Sequence, residues 1–308
     1  MYYFIVNEHG GSGKGSRRWD KVKPLLDEKK IEYEFFVPEY AGHATKIAQE
    51  ISVRDDGDIK IVILGGDGTI NEVLNGIADF SRVKLALIPT GSGNDFSRGL
   101  NLPRHNPKKS LEMILNAGEG RKIDLGVVES SENGKKRIFG ISAGFGLDAI
   151  VGTGNNSSKI KVALNKMHLG KLSYAILTVK TLFSMKTQTA RLKFDGEDWI
   201  EMKKLIFLAA MNFKAEGGGV PMSPKARGDD GKLSVCAAAG VPKILTFFLF
   251  PFLCLGLHSN MKGFFLRDFE TLEIQSAEKS TLHTDGEFFG NVKSAKFSIL
   301  KNAVSILA

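Results

Sequence analysis

The first 128 residues alternate continuously apolar segments with segments of helical periodicity, and this alternation constrains the fold more than any other feature. The apolar segments read YYFIVN, IEYEFFV, IKIVIL and KLALIP, and helical patterns between them span residues 17–29, 41–51 and 69–77. Strands that are apolar on both faces are typical of a parallel sheet covered by helices. The pattern therefore predicts a Rossmann-like α/β domain over residues 1–128.

After residue 128 the chain changes to strand-rich patterns separated by turn signals. These strands read RIFGISAG, ARLKFDG, KLIFLAAMN, GKLSVCAAA, ETLEIQS, STLHTDG and VKSAKFSIL. One helical stretch, roughly residues 160–185, interrupts them. The pattern predicts a second, mostly antiparallel β-sandwich domain over residues 129–290, with residues 291–308 returning to the first domain.

Composition restricts the classes of protein and partner. The chain has 308 residues, 43% of them hydrophobic and 25% charged, which is typical of a globular protein of about two domains. Cys236 and Cys254 lie among apolar neighbours and are predicted to be reduced core thiols of a cytoplasmic protein. The net charge of +8 favours acidic binding partners, such as nucleotides, nucleic acid or an anionic membrane surface. The alternative is that the charge serves solubility alone. Because no nucleic-acid motif is present, no nucleic-acid partner is expected.

The longest apolar run is Ile244–Leu257, which has 14 residues and contains Pro251. A helix that spans a bilayer needs ~20 residues, so this run is not expected to cross a membrane. We predict a core helix here, and the alternative is a segment that helps an apolar substrate leave the bilayer.

Glycine-rich turns follow three of the predicted strands. In ILGGDGTINEVLNG, three glycines within Gly65–Gly68 precede a helix predicted to begin at Thr69, an arrangement that lets backbone N–H groups face a phosphate. Asp67 would repel phosphate unless it contacts a metal ion or a hydroxyl, and the alternative is that Asp67 caps the helix. IPTGSGNDFSRGL repeats the pattern around Ser92.

The third glycine-rich turn, NEHGGSGKGS, is not a P-loop. Glu8 stands where the first glycine of that motif belongs, and Gly15 stands where its serine or threonine belongs. All three turns are expected at the carboxyl edge of the parallel sheet, where such sheets bind ligands.

ILGGDGT, NEVLNG, IPTGSGNDFSRGL and HTDGE together resemble the diacylglycerol kinase catalytic family over essentially the whole chain. The GGDGT core is shared with NAD kinases and, loosely, with phosphofructokinases. The resemblance implies ATP as phosphoryl donor, with Glu8 and Pro38 departing from the family pattern. The nucleotide-binding residues that it implies are Asn7, Ser12, Gly13, Gly65, Gly66, Asp67, Gly68, Thr69, Ile70, Asn71 and Ser92.

The resemblance also implies catalytic roles in HTDGE. Asp285 and Glu287 lie two residues apart and would face the same side if the strand continued through Gly286. We predict Glu287 as the base, Asp285 as its partner and Asp67 as an organiser of metal or hydroxyl. The alternative is that Asp285 and Gly286 form a simple turn. Phe288 and Phe289, beside the base, suggest an acyl-chain entrance.

A magnesium site is implied by the turn RGDDGKL. Asp230 with the carbonyl oxygens of Arg227 and Lys232 corresponds to the family's structural metal site, and hard oxygen ligands suit Mg²⁺. The alternative is a plain hairpin turn.

The sequence thus predicts an ATP- and Mg²⁺-dependent lipid kinase, with diacylglycerol as the first candidate substrate. NAD kinase, a sphingosine or ceramide kinase and a nucleotide-binding membrane regulator without turnover are the alternatives. The protein is expected to be cytoplasmic and peripherally associated with a membrane that supplies its lipid substrate, and a homodimer is left open.

Overall fold

The computed structural model of the chain describes residues 1–55, 57–152 and 178–308. The described strands are β1 (Tyr2–Val6), β2 (Tyr33–Phe36), β3 (Ile59–Gly65), β4 (Val83–Pro89), β5 (Arg121–Ser130), β6 (Lys136–Phe139), β7 (Ser142–Gly146), β8 (Gln188–Phe194), β9 (Ile200–Leu205), β10 (Phe207–Met211), β11 (Leu233–Ala238), β12 (Phe264–Phe269), β13 (Thr271–Thr284) and β14 (Glu287–Ile306). The α-helices are α1 (Gly10–Glu28), α2 (His43–Ser52), α3 (Asp67–Leu74), α4 (Asp95–Gly99), α5 (Pro107–Asn116), α6 (Leu147–Gly152) and α7 (Lys243–Cys254). Residues 178–184 are also helical.

The first domain is a parallel sheet in the order β2-β1-β3-β4. Successive residues of β1 enter different cores: Tyr3 and Ile5 pack with α2 and α3, whereas Phe4 and Val6 pack with α1 and α5. Because both faces of each strand are buried in this way, the strands need uninterrupted apolar sequences. The predicted α/β domain is confirmed.

The second domain is mostly antiparallel, as predicted, and is continuous with the first through β14. This strand has 20 residues and pairs antiparallel with β13 and β5. Near its end Ser305 and Ile306 pair in parallel with β4. The boundary predicted at residue 128 falls inside β5 rather than in a linker.

Two helices begin earlier than the sequence predicts. α1 begins at Gly10 instead of residue 17, with Gly11 and Gly13 at positive φ in a distorted first turn. α3 begins at Asp67 instead of Thr69, with Gly66 as its N-cap, so Asp67 does not cap its own helix. The helix predicted over residues 160–185 lies outside the described residues except for 178–184.

The prediction of a core helix at Ile244–Leu257 is wrong. Within α7 only Thr246 and Leu253 are buried, and Cys254 is exposed, so this cysteine is not a core thiol. The sequence is apolar around the whole helix, so periodicity could not show which side faces the protein. In the described part of the chain, no helix is long and apolar enough to cross a membrane.

Candidate active site

A polar cleft of about 430 Å³ lies where β1 and β3 end and α1, α2 and α3 begin. Its volume is within the range of ligand sites, roughly 300–1,000 Å³. The N-caps His9 and Gly66 make no side-chain capping hydrogen bond, so the N-termini of α1 and α3 are uncapped beside the cleft. At the start of α2, by contrast, the N–H of Ala44 donates to Glu72 Oε2 at 3.1 Å. Backbone N–H groups and the helix dipoles make the two uncapped N-termini favourable for phosphate.

Close backbone contacts explain why glycine is required beside the cleft. A Cβ atom on Gly11 would lie 2.0 Å from the carbonyl oxygen of Thr90, and one on Gly66 would lie 3.2 Å from the Cα of Gly91. The glycines thus bring the three loops into contact. Asn7 supports the same junction because its Nδ2 donates to Thr69 Oγ1 at 2.9 Å.

Asp67 joins its own glycine loop, at residues 65–69, to the glycine loop around Ser92, at residues 89–95. Its carboxylate accepts hydrogen bonds from the backbone N–H groups of Asp95 (3.1 Å) and Phe96 (3.2 Å), in the first turn of α4. Burial raises the pKa of Asp67 to about 6, with further contributions from the negative charges of Asp95 and Asp285, while the two N–H groups oppose the rise. A carboxyl with a pKa near neutrality suits general acid–base chemistry.

Asp95 connects this junction to the second domain. Its Oδ1 accepts from Arg98 Nε at 3.1 Å and its Oδ2 from the N–H of Gly218 at 2.6 Å. Gly217–Gly219 all have positive φ, which lets this loop wrap around the ion pair. The hydrogen bond from Gly218 to Asp95 therefore holds this loop of the second domain against the first domain at the site.

Asp285 forms the turn that the sequence reading treated as its alternative. Asp285 and Gly286 have φ of 51° and 84° and join β13 to β14 as a two-residue hairpin, in which Thr284 pairs with Glu287. The expectation that the strand continues through Gly286 is therefore wrong. The turn nevertheless has a specific role because of what the Asp285 carboxylate contacts.

Both carboxylate oxygens of Asp285 are occupied by donors. They accept from the backbone N–H groups of Gly140, Ile141 and Ser142 at 2.8–3.0 Å and from Asn71 Nδ2 at 2.9 Å. Burial raises its pKa, against these hydrogen bonds. A carboxylate held in this way positions the turn and is poorly placed to accept a substrate proton.

Glu287 has the free carboxylate of the predicted pair. Its side chain lines the polar cleft, and its Oε1 lies over Gly68 at the start of α3, 3.0 Å from where a Cβ would stand. The residue is exposed. Of the two carboxylates, Glu287 is the one that can reach a ligand.

The other predicted nucleotide-binding residues are divided between the cleft and the protein interior. Gly66, Gly68, Thr69 and Asn7 line the cleft. Ser92 is exposed on the glycine loop at residues 89–95. Gly13 lies in the first turn of α1, and the Ser12 side chain lies outside the described residues. Gly65 lies at the buried end of β3.

Two of the predicted nucleotide ligands do not face the cleft. Ile70 belongs to the hydrophobic core, so its side chain is not a ligand. Asn71 is fully buried: its Nδ2 donates to Asp285 and its Oδ1 accepts from Arg137 Nε at 3.1 Å. Asn71 thus joins α3 to the second domain rather than contacting a ligand.

The predicted metal turn lies away from the cleft, beside β5. Asp230 Oδ1 accepts the N–H of Lys232 at 3.1 Å, while the buried Asp124 accepts the N–H of Gly231 at 2.7 Å. Burial raises the pKa of Asp230, as do the charges of Asp268 and Asp124. The Arg227 side chain pairs with Asp229, and the Mg²⁺ site at this turn stays a prediction.

An apolar cavity of about 50 Å³ lies on the far side of the Gly217–Gly219 loop. It is enclosed by α6, α7 and the helical residues 178–182, with Asp148 and Glu216 as its acidic lining residues. Phe289 belongs to the core and Phe288 is exposed, and neither lines this cavity. Because Phe289 is buried, it does not form an entrance, whereas the suggested role of the exposed Phe288 stays a prediction.

Asp148, Glu216 and His283 form a cluster whose potential ligand atoms lie within 4.8 Å of one another. His283 Nδ1 accepts the N–H of Gly286 at 3.0 Å, so the ring proton is on Nε2, which lies 2.7 Å from Asp148 Oδ2. A nitrogen that donates to a carboxylate cannot ligate a metal at the same time. The hydrogen-bond direction therefore favours a proton network over a metal site.

Burial and neighbouring charges shift the pKa values of Glu216 and His283 in this cluster. Burial, together with the charge of Asp148, raises the pKa of Glu216 to about 8. Burial lowers the pKa of His283, but the charges of Asp148 and Glu216 outweigh this and raise it to about 9. The N–H of Gly286 opposes ring protonation, because a second proton on Nδ1 would break that bond.

Sequence reasoning missed several residues that organise the site: Asp95, Arg98, Arg137, Asp148 and Glu216. Asp95 and Arg98 were within a quoted motif, and their spacing of three residues indicated a helical ion pair. Asp148 and Glu216 carried no local signal, because the fold alone brings them together.

Comparisons with known proteins agree with this geometry. Residues 1–128 match the diacylglycerol kinase catalytic domain, and residues 142–308 match the YegS C-terminal NAD kinase beta sandwich-like domain. The chain is 31% identical over 252 residues to a diacylglycerol kinase of Bacillus subtilis (strain 168), covering 81% of this chain and 77% of that one. It is 27% identical over 303 residues to a diacylglycerol kinase of Staphylococcus carnosus (strain TM300), covering 98% and 93%.

The fold has a counterpart among solved structures. A crystal structure of a diacylglycerol kinase from Bacillus anthracis str. Sterne superposes with a TM-score of 0.72 at 22% identity. The superposition covers 100% of this chain and 96% of that one. At this identity the likeness supports the arrangement of both domains.

Proposed function

Since this chain belongs to the diacylglycerol kinase family and is a lipid kinase, we propose that it transfers the γ-phosphoryl group of ATP to the hydroxyl of diacylglycerol. The products are phosphatidic acid and ADP. ATP is the donor that the kinase family implies. Diacylglycerol as the acceptor is supported by the names of the relatives and by the arrangement of the two sites.

The observation that carries the proposal is that the Gly217–Gly219 loop connects the apolar cavity to the junction of the glycine loops. Glu216 and Gly217 line the apolar cavity, and Gly218 donates to Asp95 at that junction. An acyl chain in the cavity could therefore place its head group toward the junction, where Asp67 accepts the N–H of Asp95. A phosphoryl donor and an apolar acceptor could then meet at Gly217–Gly219.

In the proposed reaction, the N-termini of α1 and α3 hold the phosphates in the polar cleft. Glu287 accepts the proton of the attacking hydroxyl, and Asp67 orients the hydroxyl or a metal ion beside it. Mg²⁺ would neutralise developing charge on the phosphates. Asp67 offers the hard carboxylate oxygens that this ion prefers, and Asp285 fixes the turn that presents Glu287.

Phosphoryl transfer from labelled ATP tests the proposal. Diacylglycerol, monoacylglycerol, ceramide, sphingosine and undecaprenol are offered in mixed micelles, and NAD is offered in solution. The expected result is label on diacylglycerol with wild-type protein, loss of label in Glu287→Gln, and normal label in Glu112→Gln, an exposed glutamate on α5. Label on NAD or on another lipid would refute diacylglycerol as the acceptor.

A further inference from the structure

The outward side of α7 is apolar and exposed to solvent. Its most exposed side chains are Ile244 (53%), Phe248 (62%), Phe252 (40%) and Leu255 (69%). Spacings of three and four residues place these side chains along one stripe of the helix. Soluble proteins rarely expose apolar side chains in a contiguous group unless the group binds a partner.

The inward side of α7 covers the apolar cavity. Thr246, Phe250 and Leu253 follow the same spacing on the opposite side and line the cavity. At about 50 Å³ the cavity is much smaller than the roughly 300–1,000 Å³ of typical ligand sites. An acyl chain would therefore need a larger cavity, which outward movement of α7 would provide.

The charged residues next to α7 in sequence are basic. Residues 231–267 contain Lys232, Lys243, Lys262 and Arg267 but no aspartate or glutamate. Arg267 pairs with Glu197. The acidic Asp148 and Glu216 line the cavity on the inward side of α7. Basic residues near a membrane surface are attracted to anionic lipids. An exposed apolar stripe flanked in sequence by Lys243 and Lys262 is complementary to an anionic bilayer.

We propose that α7 docks parallel to an anionic lipid bilayer through Ile244, Phe248 and Leu255 and acts as the lid of the apolar cavity. Its 12 residues span about 18 Å, less than the ~30 Å of hydrocarbon that a spanning helix must cross, so the helix lies in the interface. Docking exchanges water for lipid on the outer stripe and lets α7 open the cavity toward the bilayer. The identity of the molecule that enters rests on the proposed function; the docking itself does not.

Vesicle co-sedimentation of the full chain tests the docking. The vesicles contain phosphatidylcholine alone or with phosphatidylglycerol. The test variant is Phe248→Ser/Leu255→Ser, since neither side chain lines the cavity. The matched control is Val53→Ser, an apolar residue of the first domain with 61% exposure. Wild type and control should bind anionic vesicles, and the double variant should bind at least about tenfold more weakly, because two large apolar side chains no longer enter the lipid.

Three results would overturn the docking proposal. Wild-type protein could fail to bind anionic vesicles, or the double variant could bind as tightly as the control. Light scattering could instead show a wild-type dimer that the double variant dissociates, and a second copy of the chain would then cover α7. Thermal unfolding of all variants shows whether a loss of binding reflects a loss of folding.

The docking proposal and the proposed function can fail separately. Turnover is measured on short-chain diacylglycerol below its critical micelle concentration, where no lipid surface is present. The double variant should match wild type there and lose activity on vesicles. No turnover by wild type on any diacylglycerol would refute the proposed function while the vesicle-binding result still stood.

Discussion

The Asp67 carboxylate lies 3.1 Å from the backbone nitrogen of Asp95, so a side chain of one glycine loop caps the helix that follows the next loop. This contact explains how an acidic residue is tolerated among the glycine loops, because two N–H groups compensate its charge. It also explains how the residue is held rigidly at the edge of the cleft. Rigid placement is what a catalytic carboxylate requires.

Asp67 should impose an acidic limit on activity. Its pKa of about 6 means that the carboxylate form, which can accept a hydrogen bond from a hydroxyl or bind metal, predominates only above this pH. We expect kcat/KM of wild type to rise through pH 6 and then level off, and Asp67→Asn to lose about 100-fold or more in kcat and the acidic limb with it. A full pH profile measures both, with Asp20→Asn as the control. If the fall in kcat/KM below pH 6 were unchanged in Asp67→Asn, another group would be responsible for it.

Replacement of Glu287 should affect chemistry without affecting stability. The side chain is exposed in the cleft and accepts no hydrogen bond among the described residues. Glu287→Gln should lower kcat by ~10²–10⁴, the usual contribution of a general base, and leave the urea unfolding midpoint unchanged. Glu112→Gln is the control for both measurements. A kcat within threefold of wild type would remove Glu287 from the mechanism.

Replacement of Asp285 should affect stability as well as chemistry. In Asp285→Asn the new amide would turn N–H donors toward the backbone N–H groups of residues 140–142. Each hydrogen bond to a charged group contributes ~1.5–3 kcal/mol, so we expect the free energy of unfolding to fall by at least about 2 kcal/mol.

Urea denaturation of Asp285→Asn measures this loss, and Asp198→Asn, an exposed position, is the control. Turnover should fall too, because the turn that presents Glu287 is no longer held. A variant with normal stability and reduced kcat would instead make Asp285 a direct participant in proton transfer.

The sequence predicted those parts of the fold and site that are encoded locally. Continuous apolar strands and GGDGT were sufficient for the parallel sheet and for the loops at its edge. The local Asp-Gly signal correctly allowed a turn at Asp285, but its partners Gly140–Ser142 lie about 145 residues away in sequence. No local pattern could show that this turn anchors the second domain.

Two further features depended on tertiary contacts that the sequence does not display. α7 is apolar on all sides, and only the structure shows which stripe packs against the protein. Glu216, which directly precedes GGGVPMSP, gave no signal, because its neighbours Asp148 and His283 come from α6 and β13.

Glu216 should make stability decrease as pH rises. Its pKa is about 8 in the folded protein against 4.5 ordinarily, so between these values the folded state holds a proton that the unfolded state has released. Stability falls with pH wherever the folded state binds more protons. Wild type should therefore lose stability from pH 5 to pH 8, and Glu216→Gln, which keeps an acceptor for Ser142 but cannot ionise, should lose less.

Thermal unfolding across this pH range measures the difference, with Glu112→Gln as the control for a loss of surface charge. His283 has a raised pKa as well, and loss of its proton on going toward pH 9 also lowers stability, so some slope should persist in Glu216→Gln. His283→Gln in the Glu216→Gln background should then reduce the slope further and leave the part below about pH 6 to which the raised pKa of Asp67 contributes. Equal slopes in wild type and Glu216→Gln would mean that Glu216 is already ionised at pH 5, and that Asp148 or His283 holds the proton of the cluster.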